Sequence, residues 1–245
     1  MSTLTLDAPA RRGAVDLTAR WFLSAQLRVA KWFWAIAVVV SVLAISVYAL
    51  VADEVTTSVV AFGRQATMWV PFSIFIGLTA VYLPVHVASG LTRRSLSRGS
   101  VIGALSTALL YGGGYALLLV AERATYAVFG WQWKIAEGVS VNVGSSGSYL
   151  AAFLVANAAT LVVAYVSGLL VAAVYLRGGG WWGTLTLPLT VGPLLALSSL
   201  LGWGTGLFGG VRGLLLGSVL ALVVAAVLAL VYDQLVRGAR VPTKR

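Results

Sequence analysis

Three arginines, Arg93, Arg94 and Arg98, are the densest chemistry in this 245-residue chain. They stand in the stretch from Gly90 to Gly99, which holds Thr92, Ser95 and Ser97 but no acid. Guanidinium groups at this density offer ion pairs and charge-assisted hydrogen bonds to carboxylates, phosphates or carbonyl oxygens. Nucleophilic chemistry has thin material. The only histidine, His86, could in principle activate a serine of Gly144-Ser145-Ser146-Gly147. However, His86 falls at one end of an apolar segment and Ser146 at the opposite end of another. That separation is beyond hydrogen-bond reach and disfavours an intramembrane serine protease. His86 reads instead as a polar contact to a neighbouring helix or to the inner interface, or as a pH-sensitive contact. Without cysteine, thiolate metal sites, disulfides and thiol nucleophiles are excluded. The three lysines follow Ala30, Trp133 and Thr243, so there is no Gly-Lys-Ser/Thr to cradle a nucleotide phosphate. The chain is not expected to be an enzyme or to hold a metal or cofactor of its own.

What must position these residues is a set of membrane-spanning helices. Hydrophobic residues make up 60% of the chain and charged ones 10%, with a mean hydropathy of +0.94, beyond the range of ordinary soluble domains. A helix needs about 20 apolar residues to cross the hydrocarbon core. Six such segments can be drawn, near residues 32–52, 68–89, 100–121, 149–176, 181–201 and 213–232. The apolar runs are continuous rather than alternating, which favours helices over a barrel. The expected fold is therefore an all-α membrane protein with six transmembrane helices. Residues 1–31 form a tail with an amphipathic helix, 32–232 the spanning domain, and 233–245 a basic tail. The N-terminus lacks the features of a cleavable signal peptide.

Charge distribution orients the segments. Arg11, Arg12, Arg20, Arg28 and Lys31, the 90–99 arginines, Arg177, and Arg237, Arg240, Lys244 and Arg245 all fall on one side of the six-span scheme. Only Arg64, Arg123, Lys134 and Arg212 fall on the other. By the positive-inside rule both termini are expected in the cytoplasm, and the net charge of +10 marks a membrane surface rather than nucleic acid. The nine tryptophans fall at predicted span ends, as in an interfacial aromatic belt. Residues 14–31 alternate Val15, Leu17, Trp21, Phe22, Leu27 and Ala30 with Asp16, Arg20, Arg28 and Lys31, the pattern of a helix lying in the inner interface.

Several further residues stand out. Ser148, Ala152, Ala156, Thr160, Ala164, Gly168 and Ala172 recur every four residues, so two helix backbones can approach closely, either within one subunit or between subunits. Glycines at 202, 204, 206, 209, 210, 213 and 217 suit a short re-entrant or broken helix. Pro188 and Pro193 predict a kink in the fifth span. Glu122 and Arg123 lie near the outer boundary, where they are either functional or the marker of a helix end. The second, fourth and fifth segments carry no carboxylate, so an energy source in another polypeptide is expected.

An amphipathic N-terminal helix, six spans with both ends inside and a basic turn after the second span are together similar to the type-2 permease class of ATP-binding-cassette transporters. Gly90-Leu91-Thr92-Arg93-Arg94 resembles the Gly-x-Ser/Thr-Arg pattern after the second span of bacterial members. The resemblance implies that Gly90, Thr92, Arg93, Arg94 and Arg98 belong to a coupling helix seated on a separate ATPase subunit. It also implies ATP and Mg in that partner, a second permease copy or homologous permease, a lipid bilayer around both, and a place in the bacterial cell membrane. The expected function is export of a lipophilic or amphipathic substrate such as a drug, lipid or peptide. The large outer domain of some members and a fused ATPase are missing. Competing classes are the substrate-binding membrane subunit of an importer and a non-transport immunity or anchoring protein.

Overall fold

A computed structural model describes residues 8–52, 56–135, 147–202 and 210–238. The described chain is helical, in the order α1 (Ala8–Val51), a 3-10 turn (Val60–Gly63), α2 (Arg64–Ala88), α3 (Arg93–Val128), α4 (Gly147–Leu185), α5 (Leu187–Gly202) and α6 (Gly210–Arg237). Five of these helices are long and apolar enough to cross a membrane, and α5 is a shorter apolar helix. The chain is a transmembrane protein on this architecture.

The helix ends fall into two sets. Thr18 of α1 meets Gly99 of α3, Arg93 of α3 reaches the carbonyl of Arg237 at the end of α6, and Gly238 lies beside Arg177 of α4. These contacts gather the start of α1, the α2–α3 turn, the α4 region near Arg177 and the end of α6 at one end, hereafter the basic end. At the far end, Tyr115, Leu119, Tyr126, Trp133, Tyr149 and Leu214 pack into one cluster. Helix α4 runs through the centre, touching α2, α3, α5 and α6. Its Val163, Ala164, Tyr165, Val166 and Leu169 are buried. Lipid tails are as apolar as these side chains, so close fit rather than the hydrophobic effect holds such a bundle together. Leu109, Leu117, Leu216 and Leu230 point outward, as membrane-facing residues should.

Several boundaries differ from those read in the sequence. Residues 14–31 do not form a separate interfacial helix. They are the first half of the unbroken 44-residue α1, about 66 Å long at 1.5 Å per residue. Their face at Thr18, Phe22, Gln26 and Ala30 is buried on α2 and α3 rather than resting on lipid headgroups. Gly99 and Gly103 make this possible, because a Cβ at Gly103 would stand 2.7 Å from the Phe22 Cβ. Helix α3 continues to Val128, past the expected end near Glu122, so only the residues after Val128 leave the helix axis. One boundary agrees: the break before the fifth span falls at Gly179, whose positive φ of 72° interrupts α4, so residues 181–185 follow the break and lead into α5. Pro188 sits in the first turn of α5, where a missing N–H costs nothing, and Pro193 lies inside that helix. The tryptophans divide. Trp32, Trp181 and Trp182 are exposed, whereas Trp34 packs on Gly114 and Trp133 is buried. Asp53, Glu54, Glu137, the 144–146 part of the Gly/Ser loop, Trp203, the glycines at 204, 206 and 209, and Arg240, Lys244 and Arg245 lie outside the described residues.

Candidate functional site

The α2–α3 turn is only four residues long, from Ser89 to Thr92. The Gly90 N–H bonds the Val87 carbonyl at 3.1 Å and the Leu91 N–H bonds the His86 carbonyl at 3.2 Å. With Gly90 at φ 80°, this is the left-handed C-terminal cap that glycine forms without a Cβ penalty. Thr92 opens α3: its backbone is extended, and its hydroxyl accepts from the Ser95 N–H at 3.1 Å. Gly90 and Thr92 thus have structural work of their own, ending one helix and starting the next. Residues 93–99 are the first two turns of α3, not a separate loop helix.

Polar contacts radiate from this turn. His86 is buried, and its Nε2 lies 3.0 Å from the Ser95 hydroxyl and 3.2 Å from the Thr92 carbonyl. Toward α6, Ser97 donates to the Asp233 carboxylate at 2.7 Å, and Ser100 and the Tyr232 hydroxyl are 2.9 Å apart. Asp233 also pairs with Arg237 one helical turn on. Arg93 donates from Nη1 to the Arg237 carbonyl at 3.3 Å, a cation on the carbonyls that end α6. The residues flanking the turn are therefore hydrogen-bonded within and between α2, α3 and α6. Arg94 and Arg98 differ from Arg93. Both are exposed, and neither makes a hydrogen bond or ion pair with another described residue.

The far end holds the second cluster. Glu122 is buried and accepts from the Ser58 hydroxyl, from Val59 N at 2.7 Å, from Val60 N at 2.9 Å and from Trp133 Nε1 at 3.0 Å. A carboxylate capping the backbone N–H groups that open the 3-10 turn is a staple for the segment entering α2. Its neighbour Arg123 stands beside the same tryptophan, with its guanidinium 5.6 Å from the Trp133 ring. Arg64 donates from Nε to the Asn157 side-chain oxygen at 2.9 Å and stands 5.9 Å from the Phe153 ring. That is the polar junction of α2 with α4. These far-end contacts are structural in character: among the described residues, both Glu122 oxygens are taken up by protein donors.

The small-residue series lies inside the bundle. Ala152, Ala156, Thr160, Ala164 and Ala172 are at most 2% exposed, and a Cβ at Gly168 would sit 2.7 Å from the Phe72 carbonyl oxygen of α2. The stripe serves packing within one chain. Among the described residues no three His, Asp or Glu side chains group to hold a metal ion.

Three features go beyond those read in the sequence. Gly99-x-x-x-Gly103 carries the small-residue spacing that seats α1 on α3, a signal open to view in the chain. The Asp233–Arg237 spacing of four is equally legible as an ion pair. The Arg64–Asn157 pair spans 93 positions and leaves no local trace. No protein-family model, curated protein or solved structure matches this chain.

Proposed function

We propose that this chain is the membrane-spanning subunit of an ATP-driven exporter. It crosses a bacterial cell membrane six times with both termini in the cytoplasm. Separate ATPase subunits bind ATP and Mg and dock on the α2–α3 turn. Two copies, or one copy and a homologous permease, enclose the path of a lipophilic or amphipathic substrate. The orientation follows from where cations gather: Arg93, Arg94, Arg98, Arg177 and Arg237 all belong to the basic end, the side the positive-inside rule assigns to the cytoplasm. The sixth crossing is α5, 16 residues or about 24 Å, which covers most of a core about 30 Å thick.

One observation carries the coupling role. The turn is exposed at the tip of the bundle while its flanking residues are bonded to three helices, through His86–Ser95, Ser97–Asp233 and Arg93–Arg237. Leu91 and Arg94 present the contact surface, Gly90 and Thr92 shape it, and Arg93 passes its motion to α6. Arg98 stands one helical turn above Arg94. The test is purification from the native host at several salt concentrations. An ATPase subunit that accompanies the chain supports the reading, and its absence at every salt concentration ends it. Given such a partner, Arg93→Glu with Arg94→Glu is expected to leave membrane insertion intact while uncoupling ATP hydrolysis from transport. Transport retained in that double variant would remove the coupling role.

A further inference from the structure

The face of α3 carrying Arg94 and Arg98 looks into a groove between the start of α1 and the end of α6. The groove encloses about 1370 Å³, above the roughly 300–1,000 Å³ typical of pockets for drug-sized ligands. Val101, Ile102, Ala226 and Leu230 make its floor, with Arg94 and Arg98 at its basic end. Two acids also line it, and both are already engaged. Asp233 is paired with Arg237 and Ser97, and Asp16 with Arg20 at 2.9 Å. The uncompensated charge in the groove is therefore that of Arg94 and Arg98. Four residues apart on one helix, their Cβ atoms stand roughly 6 Å from each other, close enough for both guanidinium groups to grip one phosphate. The positive end of α3 adds to the same field.

We propose that this groove binds an anionic phospholipid of the surrounding leaflet. The phosphate sits between Arg94 and Arg98, and an acyl chain lies on Val101, Ile102, Ala226 and Leu230. Charge complementarity selects this occupant. Two unpaired cations above an apolar floor suit a headgroup-and-tail molecule, whereas a second copy of the chain would bring the same cations to face each other. Basic pockets between transmembrane helices hold anionic headgroups on the same physical grounds.

The experiment uses the full-length chain purified in detergent without any ATPase, so a lost lipid is not a lost docking contact at Arg94. Native mass spectrometry counts adducts of phosphatidylglycerol and of phosphatidylcholine, added separately. Phosphatidylglycerol is expected to stay bound where phosphatidylcholine does not. Arg94→Ala with Arg98→Ala should weaken it about thirtyfold, roughly fivefold per arginine. Replacing both by lysine should restore part of the loss, and Arg212→Ala at the far end should change nothing. Ala226→Trp fills the floor with both arginines in place and should also displace the lipid. Equal binding of the two lipids, or phosphatidylglycerol binding unchanged in the double-alanine or the Ala226→Trp protein, overturns the proposal.

Discussion

Replacing Glu122 by alanine should detach the segment that leads into α2 while leaving the bundle assembled. The carboxylate accepts from the Ser58 hydroxyl, two backbone N–H groups and the Trp133 indole, all at a buried position. Each buried donor left without a partner costs about 1–3 kcal/mol. Four such donors set an upper range of about 4–12 kcal/mol, which water entering at the end of the bundle reduces to about 3–5 kcal/mol. That shifts a local opening equilibrium by about two to three and a half orders of magnitude, at about 1.4 kcal/mol per tenfold. The absence of cysteine supplies the assay. A Val60→Cys reporter, at a site only 3% exposed, reacts with a maleimide only when the segment opens. Its labelling rate should rise by about the same factor in Glu122→Ala. It should rise less in Glu122→Gln, whose amide keeps one acceptor oxygen but turns an N–H₂ toward the remaining donors. A rate within twofold of the parent in a Glu122→Ala protein that stays monodisperse would refute the staple.

Two other substitutions probe the packing. Gly103→Leu forces a side chain into Phe22 and should lower the thermal unfolding temperature in detergent, an overpacking cost of about 1–3 kcal/mol; a temperature equal to the parent's would show that α1 does not rest on α3 there. Asn157→Leu leaves the Arg64 guanidinium without its acceptor between α2 and α4 and should cost about 1.5–3 kcal/mol, whereas Asn157→Gln should recover part of it; equal stability of the Leu variant would show that the junction carries no load.

How much of the fold is legible in the sequence depends on how local each signal is. The apolar runs of α2, α3, α4 and α6 are visible because about 20 consecutive apolar residues have little use except to cross a bilayer. The first half of α1 is ambiguous because Thr18, Phe22, Gln26 and Ala30 form a face at helical spacing that fits lipid headgroups or another helix equally well. What decides between them is the pair Gly99 and Gly103, which lies about 80 positions away. Gly90 and Thr92 stand out by their order in the chain, yet their immediate work is to cap α2 and α3. Glu122 and Arg123 look alike in the sequence as charges near the outer boundary, but neighbours on a helix point about 100° apart: Glu122 takes the Ser58 hydroxyl and the Trp133 indole N–H, whereas Arg123 stands beside the Trp133 ring. The stripe from Ala152 to Ala172 announces close packing and says nothing of its partner, which at Gly168 is the Phe72 backbone.

If the α2–α3 turn is the seat of an ATPase subunit, Leu91 at its tip must touch that subunit in the cell. A photo-crosslinking amino acid at Leu91, introduced in the native host under growth conditions, reads this contact, with the same group at Arg212 as the far-end control. The predicted result is a covalent adduct between position 91 and an ATP-binding-cassette ATPase, identified by mass spectrometry and absent from position 212. No ATPase adduct at position 91, from a protein that is inserted and abundant, would contradict it.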